Sequence, residues 1–145
     1  MAALPTPIHQ SAYPAIDPTR PELSTAGKSI LITGAGSGIG ASTALAFAKS
    51  GASHVAIVGR RPAALASTKA ALAAAYPSTT VHAIPGDMTS LPSITTSLQT
   101  FASALPSGKI DILVANAGYI NAISPLADTD PTDFWLVFEI NIKGN

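Results

Sequence analysis

The run Thr33-Gly34-Ala35-Gly36-Ser37-Gly38-Ile39-Gly40 places glycines where a backbone must turn sharply and then come close to a charged ligand. It follows an apolar β-branched stretch and opens an alanine-rich one, so it reads as the turn between a strand and a helix. At such a turn Gly34 lets the chain leave the strand. Gly38 keeps a Cβ out of the path of a pyrophosphate, and Gly40 lets the helix pack closely on the sheet. The helix N-terminus adds unpaired N–H groups and the positive end of its dipole. Gly36, Ser37 and Ile39 complete the loop and stand with the glycines as candidate cofactor contacts. No lysine follows the last glycine, which disfavours a triphosphate-binding G-x-x-x-x-G-K loop. The chemistry indicated is the cradling of a dinucleotide; a merely flexible turn is the bland alternative.

A dinucleotide site needs a second contact at the ribose. Where NAD is selected, an acid stands about 20 residues past the glycines and holds the ribose 2′-hydroxyl. Here that region is Val58-Gly59-Arg60-Arg61 and carries no carboxylate. A guanidinium forks onto a phosphate, so Arg60 and Arg61 point to NADP(H) ahead of NAD; otherwise the pair is only a solvated helix entrance. Asp87 and the run Asn116-Ala117-Gly118 close two further strand-like segments. Open α/β sheets bind ligands at such carboxyl ends. The competing readings are an Asx-type cap for Asp87 and an ordinary strand-to-loop turn for Asn116–Gly118. His9, His54 and His82 have no H-x-x-x-H spacing and no cysteine partner, so no metal site is expected.

The elements that must position these residues alternate. Apolar, β-branched runs at Ser29–Thr33, His54–Gly59, Thr80–Ile84 and Ile110–Ala115 predict strands covered on both faces. Between them lie helical stretches. Gly38–Lys49 has Ile39, Leu45 and Phe47 on a small-residue background, and Pro62–Ala75 opens with proline at a first helical position. In Leu91–Leu105, Ile94, Leu98, Phe101 and Leu105 share one face. A last helix is predicted after Asp130-Pro131, through Phe134, Trp135, Val137 and Phe138. This alternation predicts an α/β fold, a doubly wound parallel sheet of Rossmann type. Residues 1–26 are Pro-rich and aperiodic, a strap or loose arm ahead of one domain over 27–145.

Composition narrows the classes. The chain has 145 residues, 47% of them hydrophobic, enough for one domain with a sizeable core. Eight basic residues balance eight acidic ones, which is no footprint for nucleic acid. The absence of cysteine excludes disulfides and thiolate metal sites and fits a reducing compartment, so a cytoplasmic location is expected. The lead lacks the early basic residues and unbroken apolar core of a signal peptide. Ser29–Ala48 is 20 residues without a charge, but its glycines, Ser and Thr make a turn a better explanation than a membrane span.

The octet resembles the T-G-x-x-x-G-I-G fingerprint of the short-chain dehydrogenase/reductase family. The resemblance continues in order through Gly59-Arg60-Arg61, Asp87-Met88-Thr89, Asn116-Ala117-Gly118 and Asn141, and so covers residues 27–145. Ala115 stands where the family's N-N-A-G usually has its first Asn, which touches sheet support more than chemistry. The resemblance implies a sheet order of 3-2-1-4 within a larger sheet, and hydride transfer between nicotinamide and a small carbonyl or alcohol substrate. It implies that Asp87, with the Met88 backbone beside it, accepts from the adenine amino group. It gives Asn141 a place in a proton relay, through a local break in helix hydrogen bonding. Lys143 is either a cofactor contact or simply exposed. A homo-oligomer is implied for the full-length form, with neither nucleic acid nor membrane as partner. The family's proton-donating Tyr and its Lys have no counterpart: Tyr13, Tyr76 and Tyr119 each lack a Lys four residues on. The expectation is therefore an N-terminal part of an NADP(H)-dependent oxidoreductase. A non-catalytic dinucleotide-binding module and a non-functional truncated product remain the alternatives.

Overall fold

Residues 13–145 are described by the computed structural model. Four β-branched runs form strands β1 (Ser29–Thr33), β2 (His54–Gly59), β3 (Thr80–Pro85) and β4 (Ile112–Val114). They make one parallel sheet in the order β3-β2-β1-β4. Between them run α1 (Gly38–Lys49), α2 (Pro62–Ala75) and α3 (Leu91–Ser103); α4 (Pro131–Phe138) follows β4 and passes into a π-helical turn at Glu139–Lys143. The sheet is doubly wound, because alternate side chains of each strand enter different cores. Ile30, Ile32, Val55 and Ile57 pack with Ala44 and Ala48 of α1 and Leu65 and Leu72 of α2. Leu31, Ala56, Val58 and Ile84 pack on the opposite face with Phe101 and Leu105.

Only the central strands are covered as predicted. β1 is buried throughout and β2 nearly so, whereas β3 and β4, at the edges, are partly exposed. β4 is also shorter than the predicted Ile110–Ala115. Asp111 accounts for the start: its backbone N–H donates to the Ser29 carbonyl, and its Oδ2 accepts from the Ser29 N–H at 2.9 Å, in place of a backbone acceptor. α3 ends at Ser103 rather than Leu105, although Leu105 still reaches the core.

In α1 the buried face consists of Gly40, Ala44 and Ala48, not the larger residues; Ile39 is 80% exposed. Close helix–sheet packing selects the smallest side chains, and Leu45 and Phe47 pack only at its margin. Of the proline-rich arm, residues 1–12, including His9, lie outside the described residues. Residues 13–26 form short 3₁₀ turns at Pro14–Ile16 and Pro21–Leu23 along the far end of α1. Lys49 Nζ donates to Asp17 Oδ1 at 3.3 Å, Thr25 and Ser50 hydroxyls pair, and Ala26 bridges Ala52. Among the described residues no helix is long and apolar enough to cross a membrane.

The packing ranks two positions on α3. Phe101 is fully buried, its ring edge-on to His82, while Leu91 is 74% exposed. Phe101→Ala is expected to lower unfolding free energy by about 3–5 kcal/mol in urea titrations, and Leu91→Ala by no more than about 0.5 kcal/mol. Equal effects would contradict this core assignment.

Candidate functional site

The C-terminal ends of β1 to β3 and the loop after β4 surround a cavity of about 430 Å³, within the range of small-ligand sites. The turn after β1 supplies Gly34, Gly36, Ser37, Ile39 and Gly40, and the end of β2 supplies Gly59, Arg60 and Arg61. Gly86, Asp87 and Met88 come from the end of β3, Asn116, Ala117 and Gly118 from the loop after β4, and Ile140 from the π turn. Three of the sequence candidates, Gly38, Asn141 and Lys143, do not line it.

The floor rests on close backbone approach. Gly34 has φ +67°, and a Cβ there would fall 2.8 Å from Ala117 Cα. A Cβ at Gly40 would fall 2.6 Å from both Asn116 Nδ2 and the Gly34 carbonyl oxygen. No side chain fits either place. Gly38, at φ +56°, needs glycine for a left-handed backbone instead, since nothing lies within 4 Å of a Cβ there.

Thr33 and Asn116 hold the loop after β4 against this turn. Thr33 Oγ1 accepts from the backbone N–H groups of Asn116 at 3.0 Å and Ala117 at 2.9 Å. Asn116 Nδ2 donates to the Thr33 carbonyl at 2.8 Å. One donor of the Asn116 amide is thus spent on the scaffold, while Asn116, Ala117 and Gly118 all line the cavity. The glycines of the turn signalled close backbone approach, whereas Thr33, though it opens the same motif, becomes the joint only through bonds to a loop more than 80 residues on.

The charged groups sit around the rim. Arg61 Nη2 donates to Ser37 Oγ at 3.0 Å, across the mouth between β2 and α1. Asp87 forms the Asx turn expected of a cap: its Oδ1 accepts from the backbone N–H and hydroxyl of Thr89, both at 2.9 Å. Those bonds, led by the backbone one and aided by the Arg60 charge, hold its carboxyl below the ordinary carboxylate value. Its second oxygen is left for a ligand, so the cap and a ligand contact are compatible.

Asn141 lies in the π turn, where the backbone bonding register shifts. Both ends of its amide engage one residue: Oδ1 accepts from the Tyr119 N–H, and Nδ2 donates to the Tyr119 carbonyl, each at 2.8 Å. The side chain thus clamps main chain, while the residue itself sits in the break of helix bonding at Glu139–Lys143. The Tyr119 hydroxyl donates to Asp133 Oδ1, and that bond raises its pKa above the ordinary tyrosine value. Sequence reasoning passed over Tyr119 and Asn145, whose contacts appear only after folding. Gly86 and Ile140 were also missed as cavity lining; for Gly86 the position at a strand's carboxyl end was the available signal.

Comparison with known proteins agrees with this geometry. A family model described as short chain dehydrogenase matches residues 28–145. The short chain dehydrogenase mpl6 of Monascus purpureus is 36% identical over 139 residues, covering 94% of this chain and 46% of that protein. The chain thus spans about half the length of the curated relatives it matches. Among solved structures, an NAD⁺-bound xylitol dehydrogenase superposes with a TM-score of 0.75 at 33% identity, over 82% of this chain and 44% of that one. L-Sorbose reductase from Gluconobacter frateurii, complexed with NADPH and L-sorbose, gives 0.75 at 26% identity, over 83% and 44%.

Two outcomes test the site's construction. Gly40→Ala is expected to destabilise the fold by about 1–3 kcal/mol, the scale of overpacking; an unchanged melting temperature would contradict the close approach. The Asp87 pKa is lowered on folding, so its stabilising contribution is complete above the unfolded value near 3.8 and disappears as pH falls through the folded value. A carboxyl NMR titration should place its midpoint below 3.8, and Thr89→Ala should raise that midpoint by removing one donor. A midpoint at or above 3.8 would refute the assignment.

Proposed function

The chain belongs to the short-chain dehydrogenase family, and from that premise we propose that it forms the cofactor-binding part of an NADP(H)-dependent carbonyl/alcohol oxidoreductase. The observation that carries the cofactor choice is the rim at the end of β2. Two guanidiniums line the cavity there, Arg61 already directed to Ser37 at the start of α1, and no carboxylate follows β2 to receive a ribose 2′-hydroxyl. Solved structures carrying NAD⁺ and NADPH both superpose on this fold, so these residues, not the fold, favour the phosphorylated cofactor.

The residues present fit such a group. Gly34 and Gly40 let the turn and the loop after β4 approach closely and so form the cavity floor, and the N-terminus of α1 directs unpaired N–H groups and a partial positive charge to a pyrophosphate. Arg60 and Arg61 supply charge-assisted donors for the 2′-phosphate. Asp87 offers its second carboxylate oxygen to the adenine amino group, beside the Met88 backbone, and Ala117-Gly118 let main chain reach the ribose. Asn141 fixes the Tyr119 backbone at the β4 side of the cavity. When bound, the nicotinamide supplies hydride to or accepts it from a small carbonyl or alcohol substrate. The accompanying proton transfer needs a Tyr and Lys of the Y-x-x-x-K kind, which residues 1–145 do not contain. Cofactor binding is therefore expected of this chain, and carbonyl reduction only where that pair is supplied. A cytoplasmic location and a homo-oligomeric full-length form belong to the same reading.

Arg60→Asp is expected to weaken NADPH binding by roughly 10–150-fold, the effect of losing a charge-assisted phosphate contact, and to improve NADH relative to NADPH. Fluorescence titrations with both cofactors measure this. An unchanged preference would remove Arg60 as the reader of the phosphate.

A further inference from the structure

One side chain outside every recognised motif ties together three segments around the cavity. Asn145 Nδ2 donates to the Ala117 carbonyl at 2.7 Å and to the Ile140 carbonyl at 3.2 Å. Its Oδ1 lies 3.4 Å from Thr33 Oγ1, which donates to it. The partners belong to the end of β1, the loop after β4 and the π turn, and Ala117 and Ile140 both line the cavity. Both amide N–H donors are therefore used, each on a carbonyl of a cavity-lining residue. The approach is sterically fixed as well. A Cβ on the preceding Gly144 would run into the Met88 carbonyl and stand 3.1 Å from the Ile140 carbonyl, so only glycine lets the chain pass here.

We propose that Asn145 is a positioning residue for the nicotinamide-side half of the bound dinucleotide. The inference rests on the NADP(H) reading above, and strand order identifies the half. The 2′-phosphate contacts follow β2, Asp87 follows β3, and the pyrophosphate belongs at the N-terminus of α1, after β1. What remains of the dinucleotide must lie towards β4, where Asn145 sets the spacing between Ala117 and Ile140. It touches neither arginine, nor Asp87, nor Ser37.

The test uses the whole chain with two probes, NADPH and adenosine 2′,5′-bisphosphate, the latter lacking the nicotinamide half. Asn145→Asp keeps the shape but turns a carboxylate towards two carbonyls. It is expected to weaken NADPH binding by about 5–30-fold, the scale of one or two lost hydrogen bonds, and to change bisphosphate affinity by less than about twofold. Asn145→Ala, which removes the donors without adding charge, should show the same split more mildly. Equal losses for the two probes, or no loss for NADPH, would overturn the inference, as would failure of both variants to fold by circular dichroism, which makes Asn145 a residue of the scaffold. If the wild-type chain binds neither probe, the NADP(H) reading itself fails and this inference falls with it. Normal wild-type binding with an undivided effect overturns the inference alone.

Discussion

The hydroxyl of Thr33 uses its full hydrogen-bonding capacity at one point: two accepted backbone bonds from Asn116 and Ala117, and its proton shared between the Val114 carbonyl and Asn145. This buried joint sets how far the loop after β4 stands from the glycine turn. The spacing of Gly34 and Gly40 against Ala117 and Asn116 follows from it, and so does the height of the cavity floor. A buried hydroxyl deprived of these partners loses more than the bonds themselves, because its neighbours' N–H groups are then left unsatisfied as well. The rim residues Arg60, Arg61 and Asp87 are held more lightly, Arg61 by Ser37 and Asp87 by Thr89. Their positions come from the strand ends that carry them, and their side chains stay in contact with solvent.

The two cores explain why the cavity lies where it does. α1 and α2 cover one face of the sheet, α3 and the π turn the other, and the chain crosses from one face to the other between β1 and β4. At that switch point the loops leave in opposite directions, and a crevice opens between them. The small residues on α1 draw the helix down onto the sheet, which brings its N-terminus to the crevice edge. Ile39 stays exposed because it belongs to the cavity and not to the core.

Much of this was legible in the sequence because it is local. The β-branched runs, the glycine spacing and the Asp130-Pro131 helix start each carry their own signal, and in the structure Asp130 Oδ1 caps α4 by accepting from Thr132 at 2.7 Å. That the arginines, Asp87 and Asn116–Gly118 line one cavity was legible from their places after strands. What escaped depends on neighbours distant in the chain. The extent of β4 was overread because an edge strand has only one partner and Asp111 replaces a rung of the ladder. Asn141 was identified, yet its engagement with Tyr119 exists only once the loop folds back over 22 residues of sequence. Thr33 and Asn145 are ordinary polar residues by type, and only their three-dimensional convergence gives them a role.

A proton–nitrogen correlation NMR titration of the chain with NADPH tests the central claim, that the strand ends form a dinucleotide cradle, most directly. Saturable shifts are expected at Gly34–Gly40, Arg60, Arg61, Asp87 and Ala117–Gly118, with His54 and His82, away from the strands' carboxyl ends, unmoved. Shifts absent from the glycine turn, or centred elsewhere on the molecule, would contradict the claim.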